Sequence, residues 1–397
     1  MSLRRLIFWC HLLAGVVVGT VVLLMCVTGV LLTYEKQIVA WAERGLRSAP
    51  PSPNEPMLPV ESLLTQLHEQ EPSLVPTTIS LYSDPARPAA VAGAPGATVY
   101  LDPYTGALLA HGSPAIRSFF QSVTNWHRYF GASANNRATG KAINDASNLV
   151  FLFIVMSGVY LWWPKKVIWF IRGLNGKARN WNWHNTFGSW SAIPLFFIVL
   201  SGVIMSYPWA NNLLYRLTGN EPPAQLGPAE GARRGAPPAG SPSFDGLNEL
   251  WAKAEKQDSE WQSISMRLSP SLDAPITFTI DRGNGGQPDK RSTLILDRKT
   301  GDVVRWETFS DQNLGRRLRS LARFTHTGEA FGWTGQTIAG LASFGGAMLV
   351  WTGGSLVIRR LRAWIRNREK LTPIEIEQLA GTTQGAFYLL KDKEADK

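Results

Sequence analysis

Four stretches of the chain carry no charged side chain: Leu6–Thr33, Leu149–Trp163, Phe187–Trp209 and Phe331–Ile358. A helix needs roughly 20 apolar residues to cross a bilayer. Three of the stretches reach that length, and the second does so when extended back to about Ile143. The segments between them are patterned differently. Helical periodicity runs over Val60–Gln70 and Phe244–Lys256, and strand-like alternation over Thr78–Leu81, Ser263–Leu268 and Ile276–Ile280. Val99–Ala110 (VYLDPYTGALLA) and Leu294–Arg305 (LILDRKTGDVVR) each place apolar residues on both sides of a D-x-x-T-G turn. That pattern predicts a β-hairpin whose glycine takes positive φ. Phe119–Phe130 reads as an interfacial helix ahead of the second span, and Gly219–Ser243, rich in Pro, Gly and Ala, as a flexible loop.

The pattern occurs twice. Phe-Trp-Cys-His11-Leu-Leu-Ala-Gly leads, 17 residues after the histidine, to Thr28-Gly29-Val30. Trp-Asn-Trp-His184-Asn-Thr-Phe-Gly leads, again 17 residues on, to Ser201-Gly202-Val203. Ser157-Gly158-Val159 and Thr352-Gly353-Gly354 repeat the hydroxyl–glycine pair in the other two spans, which reads as a signal for close helix packing. The expected fold is a membrane α-helical protein with four transmembrane helices, an internal duplication and two periplasmic α+β lobes, each a helix against a small antiparallel sheet. Its expected parts are span one (1–40), lobe one (41–114), an interfacial helix and loop (115–142), span two (143–164), a cytoplasmic loop (165–184), span three (185–209), lobe two (210–325), span four (326–360) and a cytoplasmic tail (361–397).

Charge then orients these elements. The net charge of +10 raises the question of nucleic acid, but its distribution answers it. Arg4 and Arg5 precede span one, Lys165, Lys166, Arg172, Lys177 and Arg179 fill the short loop, and Arg359, Arg360, Arg362, Arg366 and Arg368 follow span four. The positive-inside bias puts these in the cytoplasm and both termini with them. The basic surplus is topological, and no nucleic-acid partner is expected. The first apolar run exceeds a signal-peptide core of roughly 7–15 residues and lacks an Ala-x-Ala-like cleavage site, so a retained span is expected. Both cysteines, Cys10 and Cys26, lie inside span one and need no role beyond packing.

Of six histidines, four lie near the ends of the apolar runs: His11 and His184 toward the cytoplasmic face, His127 and His326 toward the outer face. Ionisable residues within spans are costly and functional by default. Neutral imidazole is a good axial ligand for haem iron, and bundle haem sites are built from facing helices. The expected site is therefore two haem b groups, with His11 paired to His184 and His127 to His326. The inner pair is the better supported of the two by the repeat. Bis-histidine ligation leaves iron no open position and suits electron transfer. Trp126 and Trp183, each beside one of these histidines, are candidates to pack on a porphyrin, and Arg128 to meet its propionates. Arg4, Arg5, Lys177 and Arg179 inside, and Arg117, Arg137, Lys141 and Arg323 outside, are weaker propionate candidates. Met25, Met156, Met205 and Met348 are alternative thioether ligands, with packing as their default. His68 and His111 read as surface residues. No C-x-x-C-H, and no G-x-G-x-x-G after a strand, occurs in the sequence. A separate electron donor, a quinol or a soluble reductase, is expected.

The ordered set of His-x-x-x-Gly starts, the LDPYTG and LDRKTG hairpins, Leu161-Trp162-Trp163-Pro164 and His326-Thr-Gly-Glu-Ala-Phe-Gly332 resembles the PepSY-associated transmembrane helix family, up to about residue 365. Within it the likeness is to FoxB-like and PiuB-like iron-regulated proteins of the bacterial inner membrane. The resemblance implies a haem-dependent oxidoreductase that reduces ferric siderophore iron in the periplasm, with membrane lipid as its surroundings. Two other readings stand beside it: a non-enzymatic envelope-binding or regulatory protein, and a siderophore permease.

Overall fold

The structure is a computed structural model; it describes residues 1–52, 55–93, 97–223, 243–269, 271 and 273–369. Most of the Gly219–Ser243 loop and the tail beyond 369 lie outside the described residues. In the first half the chain runs α1 (Leu3–Thr33), α2 (Glu35–Ala42), α3 (Val60–Gln70), β1 (Thr78–Tyr82), β2 (Ala89–Ala92), β3 (Thr98–Leu101), β4 (Leu108–His111), α4 (Pro114–Tyr129) and α5 (Arg137–Trp162). The second half repeats this order with α6 (Gly176–Ser206), α7 (Pro208–Leu217), α8 (Leu247–Gln257), β5 (Ser263–Arg267), β6 (Ile276–Asp281), β7 (Arg291–Leu296), β8 (Val303–Glu307), α9 (Leu314–His326) and α10 (Gly332–Glu369).

Among the described residues, four helical segments are long and apolar enough to cross a membrane: Leu3–Thr33, Pro114–Trp162, Gly176–Ser206 and Glu329–Asn367. Neighbouring contacts join α1, α5, α6 and α10 into a closed ring. The ring's core is built from Val18, Val22, Cys26, Phe151, Val155, Leu195, Val199 and Ala342. Small residues set how closely the helices approach. A Cβ on Gly345 of α10 would stand 2.0 Å from Ser191 Oγ of α6, and one on Gly346 would stand 2.7 Å from Cys26 Sγ of α1. Helix ends differ from the expected span ends where polar residues find helical partners. Helix α5 begins at Arg137, not 143, because its first turns pack on the end of α4: a Cβ on Gly140 would lie 2.0 Å from the Tyr129 carbonyl. Helix α6 begins at Gly176, so His184 sits two turns inside it and not at its start. Asn182, fully buried, accepts from Ile171 N at 3.0 Å and donates to Trp169 O at 3.0 Å, tying the basic loop to this early turn. Helix α6 stops at Ser206, one turn short of Trp209, because Pro208 has no N–H to continue it and starts α7 instead.

The two expected lobes share one sheet. Its strand order is β4-β3-β2-β1-β5-β6-β7-β8, antiparallel throughout. The halves meet at β1 and β5, paired from Thr78↔Arg267 to Tyr82↔Ser263 about a centre at Ser80 and Ser265, whose hydroxyls are 2.7 Å apart. Joining removes one exposed edge from each half. One hydrophobic core runs beneath both halves and includes Leu63, Leu67, Ile79, Leu250, Trp251, Ile264 and Phe278. Helices α3 and α8 cap one another: Glu61 N donates to Asn248 Oδ1 and Asn248 N to Glu61 Oε1, each at 3.1 Å. Both expected hairpin turns form. Asp102 and Asp297 accept from backbone N–H groups two and three residues on, and Gly106 and Gly301 each adopt φ 71°.

Candidate functional site

The four span-associated histidines have the same surroundings. His11 Nδ1 lies 2.8 Å from Ser157 Oγ, His127 Nδ1 2.9 Å from Thr28 Oγ1, His184 Nδ1 3.0 Å from Thr352 Oγ1, and His326 Nδ1 3.2 Å from Ser201 Oγ. Each hydroxyl also donates back into its own helix: Thr28 to Leu24 O, Ser157 to Phe153 O, Thr352 to Met348 O and Ser201 to Ile198 O, at 2.6–2.7 Å. A hydroxyl has one proton. With that proton given to the carbonyl, its oxygen accepts, and each imidazole must donate from Nδ1–H. At His326 the Ile198 carbonyl, 2.8 Å from Nδ1, imposes the same tautomer directly. The lone pair therefore sits on Nε2 in all four rings. No described residue hydrogen-bonds to any of these Nε2 atoms, and each ring keeps partial surface exposure inside the bundle.

The glycine after each hydroxyl completes the arrangement. A Cβ added at Gly158, Gly353, Gly202 or Gly29 would meet the Cε1 of His11, His184, His326 or His127 at 3.4, 3.3, 3.3 and 3.7 Å respectively. Glycine thus lets the ring lie against the helix surface. The hydroxyl–glycine pairs, read from sequence as packing residues, are cradles for imidazoles. The signal that could have shown this was their number: four pairs for four histidines.

Each half of the chain holds its own histidines. Helix α1 gives His11 to Ser157 of α5 and takes His127 of α4 at Thr28; α6 gives His184 to Thr352 of α10 and takes His326 of α9 at Ser201. The levels, by contrast, draw one histidine from each half. At the lobe face, the rings of His127 and His326 have centroids 6.2 Å apart, at 64° to one another. At the face of the N-terminus, His11 and His184 are electrostatic neighbours. The lobe-face pair, expected to be the weaker of the two, is the one in ring contact. The reason is that His326, like His127, ends a short amphipathic helix ahead of its span, so the two are repeat equivalents. His11 to Thr28 and His184 to Ser201 are both 17 residues on one helix, which separates the levels by about 25 Å along its axis.

The PepSY-associated TM region model matches residues 8–360. The chain belongs to the PepSY-associated TM family. No curated protein matches the chain.

Other residues of this PepSY-associated TM protein are placed differently from the four histidines. Trp126 packs edge-on to Phe130, 6.1 Å between centroids, and covers Gly131, whose φ of 70° ends α4. The His-x-x-x-Gly of His127 is therefore a helix stop, unlike that of His11, where Gly15 faces open space. Trp183 packs with Phe170 and Phe187, and Arg179 lies 5.4 Å over its ring. Arg128 and Arg137 both lie over Tyr129 and, with Trp126, line a cavity at the end of α4. Arg117 is committed elsewhere, with two 2.9 Å bonds to Glu43 and one of 2.8 Å to Tyr100 Oη. Burial and the Glu43 bond push the Tyr100 hydroxyl up from its ordinary value. Lys141 is held by Asp145, and Arg4 donates to Leu161 O at 2.5 Å. Met25 and Met348 contribute carbonyls to the cradles. His111 Nε2 meets Glu71 at 3.3 Å, and His68, expected at the surface, is half-buried with Nδ1 enclosed.

Proposed function

We propose that this protein holds two b-type haems, one between His11 and His184 and one between His127 and His326, and passes electrons across the membrane to a ferric chelate on the lobe side. The observation that carries this reading is the common state of the four imidazoles: Nδ1–H committed to a hydroxyl or carbonyl, and Nε2 left with its lone pair. Ligating histidines are oriented in this way by the partner of their other nitrogen. The donor set fits a porphyrin better than a bare ion. Among the described residues no group of three or more His, Cys, Asp or Glu could hold a metal, so each level offers only its two imidazoles. A tetrapyrrole would supply the metal's other ligands.

Bound haem would supply a reversible one-electron centre at each level. The cradles keep Nε2 unprotonated and hold each ring in place, and two imidazoles per level would suit electron transfer over oxygen activation. The donor on the N-terminal side is a quinol or a soluble reductase, and that face is cytoplasmic by its basic residues. Reduction to Fe(II) lowers the metal's charge and loosens the hold of hard-oxygen ligands. The lobes then face the periplasm, and the iron is that of a siderophore-type chelate.

The test is direct. Protein purified from haem-replete cells should be red, bind two haems per chain and show a Soret band that shifts with dithionite. A colourless preparation, or a stoichiometry unaffected by His→Ala at all four positions, would end this reading.

A further inference from the structure

A cavity of about 400 Å³ lies between α9, α7 and the second half of the sheet, within the size range of small-ligand pockets. Its lining includes Tyr215, Thr293, Arg291, Arg316, Arg319 and Arg323. Three of these arginines and His326 are spaced three, four and three residues apart along α9, which puts them on one stripe. The stripe ends at the lobe-face histidine pair, and Arg323 is one turn, about 4.5 Å of rise, from His326.

The four cations are unevenly neutralised. Arg291 faces Asp281 at 3.6 Å, and Arg316 meets Glu307 at 2.5 Å. Arg319 bonds to a neutral amide, Asn211 Oδ1, at 2.9 Å, and Arg323 lies 5.4 Å from the Phe324 ring. Among the described residues neither has a carboxylate within 4.0 Å. Burial lowers the Arg319 guanidinium from its ordinary value, Tyr215 offsets part of this and the charge of Arg323 adds to it; a bound anion would relieve the burial and the repulsion.

The duplication provides an internal reference. Ten residues before each lobe-face histidine stands an arginine, Arg117 in α4 and Arg316 in α9. Seven and three residues before it, α4 has Phe120 and Thr124 where α9 has Arg319 and Arg323. Phe120 is core, 1 % exposed, and Arg117 is fully engaged by Glu43 and Tyr100. Both halves kept the histidine cradle, but only the second carries arginines at the positions seven and three residues before the histidine, on the helix face that lines the cavity. Shared structural need does not explain a difference between equivalent helices.

We infer that this cavity docks a polyanionic iron chelate, one carrying free carboxylates, for reduction by the lobe-face site. The inference rests on the proposed function and adds its substrate class. Guanidinium forks match carboxylate oxygens two at a time. Haem held by His127 and His326 would supply a single electron, and the chelate's Fe(III) would become Fe(II) with no proton or bond transferred, the electron coming in turn from the quinol or soluble reductase on the other face. Neighbouring positive charge favours the product, which is one unit more negative. A cationic chelate would be repelled from the same cavity.

The experiment uses the full chain in phosphatidylcholine nanodiscs, with ferric citrate as probe and calorimetry as readout. The variant Arg319→Phe/Arg323→Thr installs the residues of α4, and Arg323→Gln, at an exposed side chain, guards against misfolding. The preference for ferric citrate over a neutral ferric trihydroxamate should fall at least about tenfold in the double variant and by a smaller factor in the single. An unchanged preference in both overturns the inference. Loss of haem in place of loss of citrate affinity overturns it as well, by assigning the arginines to propionates. Weakening of citrate binding by phosphatidylglycerol nanodiscs, in proportion to their anionic lipid, would assign the cavity to a headgroup and overturn it too. Calorimetry does not need haem, so the two readings fail separately. Colourless protein that binds ferric citrate refutes the haem and keeps the cavity, while red protein that ignores it does the reverse.

Discussion

Replacing Thr352 by Val removes one oxygen from the cradle of His184 and almost nothing else. The side chains are nearly isosteric, and Thr352 is 1 % exposed, so packing against α6 is retained. What is lost is the 3.0 Å bond to His184 Nδ1, together with the hydroxyl's own bond to Met348 O, whose carbonyl stays within the helix ladder. A typical hydrogen bond contributes about 0.5–1.5 kcal/mol net, and a buried donor left without a partner costs about 1–3 kcal/mol. The Leu349 carbonyl stands beside the same ring as a second acceptor, which sets the loss near 1 kcal/mol. With 1.4 kcal/mol per tenfold, haem should leave the N-terminal-face level roughly fivefold faster. Ser201→Ala is the matched control. His326 keeps its shorter bond, 2.8 Å to Ile198 O, after the hydroxyl 3.2 Å away is removed. Its haem should leave less than about twofold faster. The assay is haem transfer to an apo-globin acceptor, followed at the Soret band, with Thr352→Ser included as rescue. Equal effects of Thr352→Val and Ser201→Ala, or no recovery with Ser, would refute the claim that the hydroxyls hold the rings.

Other substitutions probe the remaining contacts. Gly202→Ala drives a Cβ to 2.9 Å from Asn148 Nδ2 and 3.3 Å from His326 Cε1, so the lobe-face centre should change its electron paramagnetic resonance g-values, whereas Gly19→Ala, 3.7 Å from Val350, should not. Gly345→Leu cannot be accommodated where even a Cβ lies 2.0 Å from Ser191 Oγ, and thermal unfolding in detergent should show the bundle destabilised by more than about 3 kcal/mol. Glu43→Ala leaves Arg117 half-buried without its carboxylate, which should cost about 3 kcal/mol and raise proteolysis near residues 111–117, with a smaller effect counting against the ion pair as an anchor of α4. Asn248→Ala opens the first turn of α3 and should cost about 1 kcal/mol in denaturant unfolding of the sheet domain; no change would show that the reciprocal caps are dispensable.

The spans, the duplication, the hairpin turns and the matched placement of His11, His127, His184 and His326 at the ends of the apolar runs were legible because each rests on local chemistry. Uncharged runs of sufficient length leave no option but helix in a bilayer, and Asp102 and Asp297 shape their turns through bonds two and three residues away. The extra turns of α6 before His184 were not legible. Lys177–Trp183 is polar by composition, and only the loop packed against Asn182 makes it helical.

The single sheet and the cradles were decided by tertiary structure. Two equal lobes each presented an edge strand, and nothing in either edge says that β1 and β5 pair with each other rather than end in solvent. A hydroxyl–glycine pair in a span has the same composition whether it packs helices or holds an imidazole. What distinguishes the two roles is a ring from 99 to 168 residues away in the chain. Sequence alone determined which histidines could act and that each has an equivalent in the other half. Folding determined which nitrogen each presents, because that depends on the oxygen that long-range packing places against Nδ1.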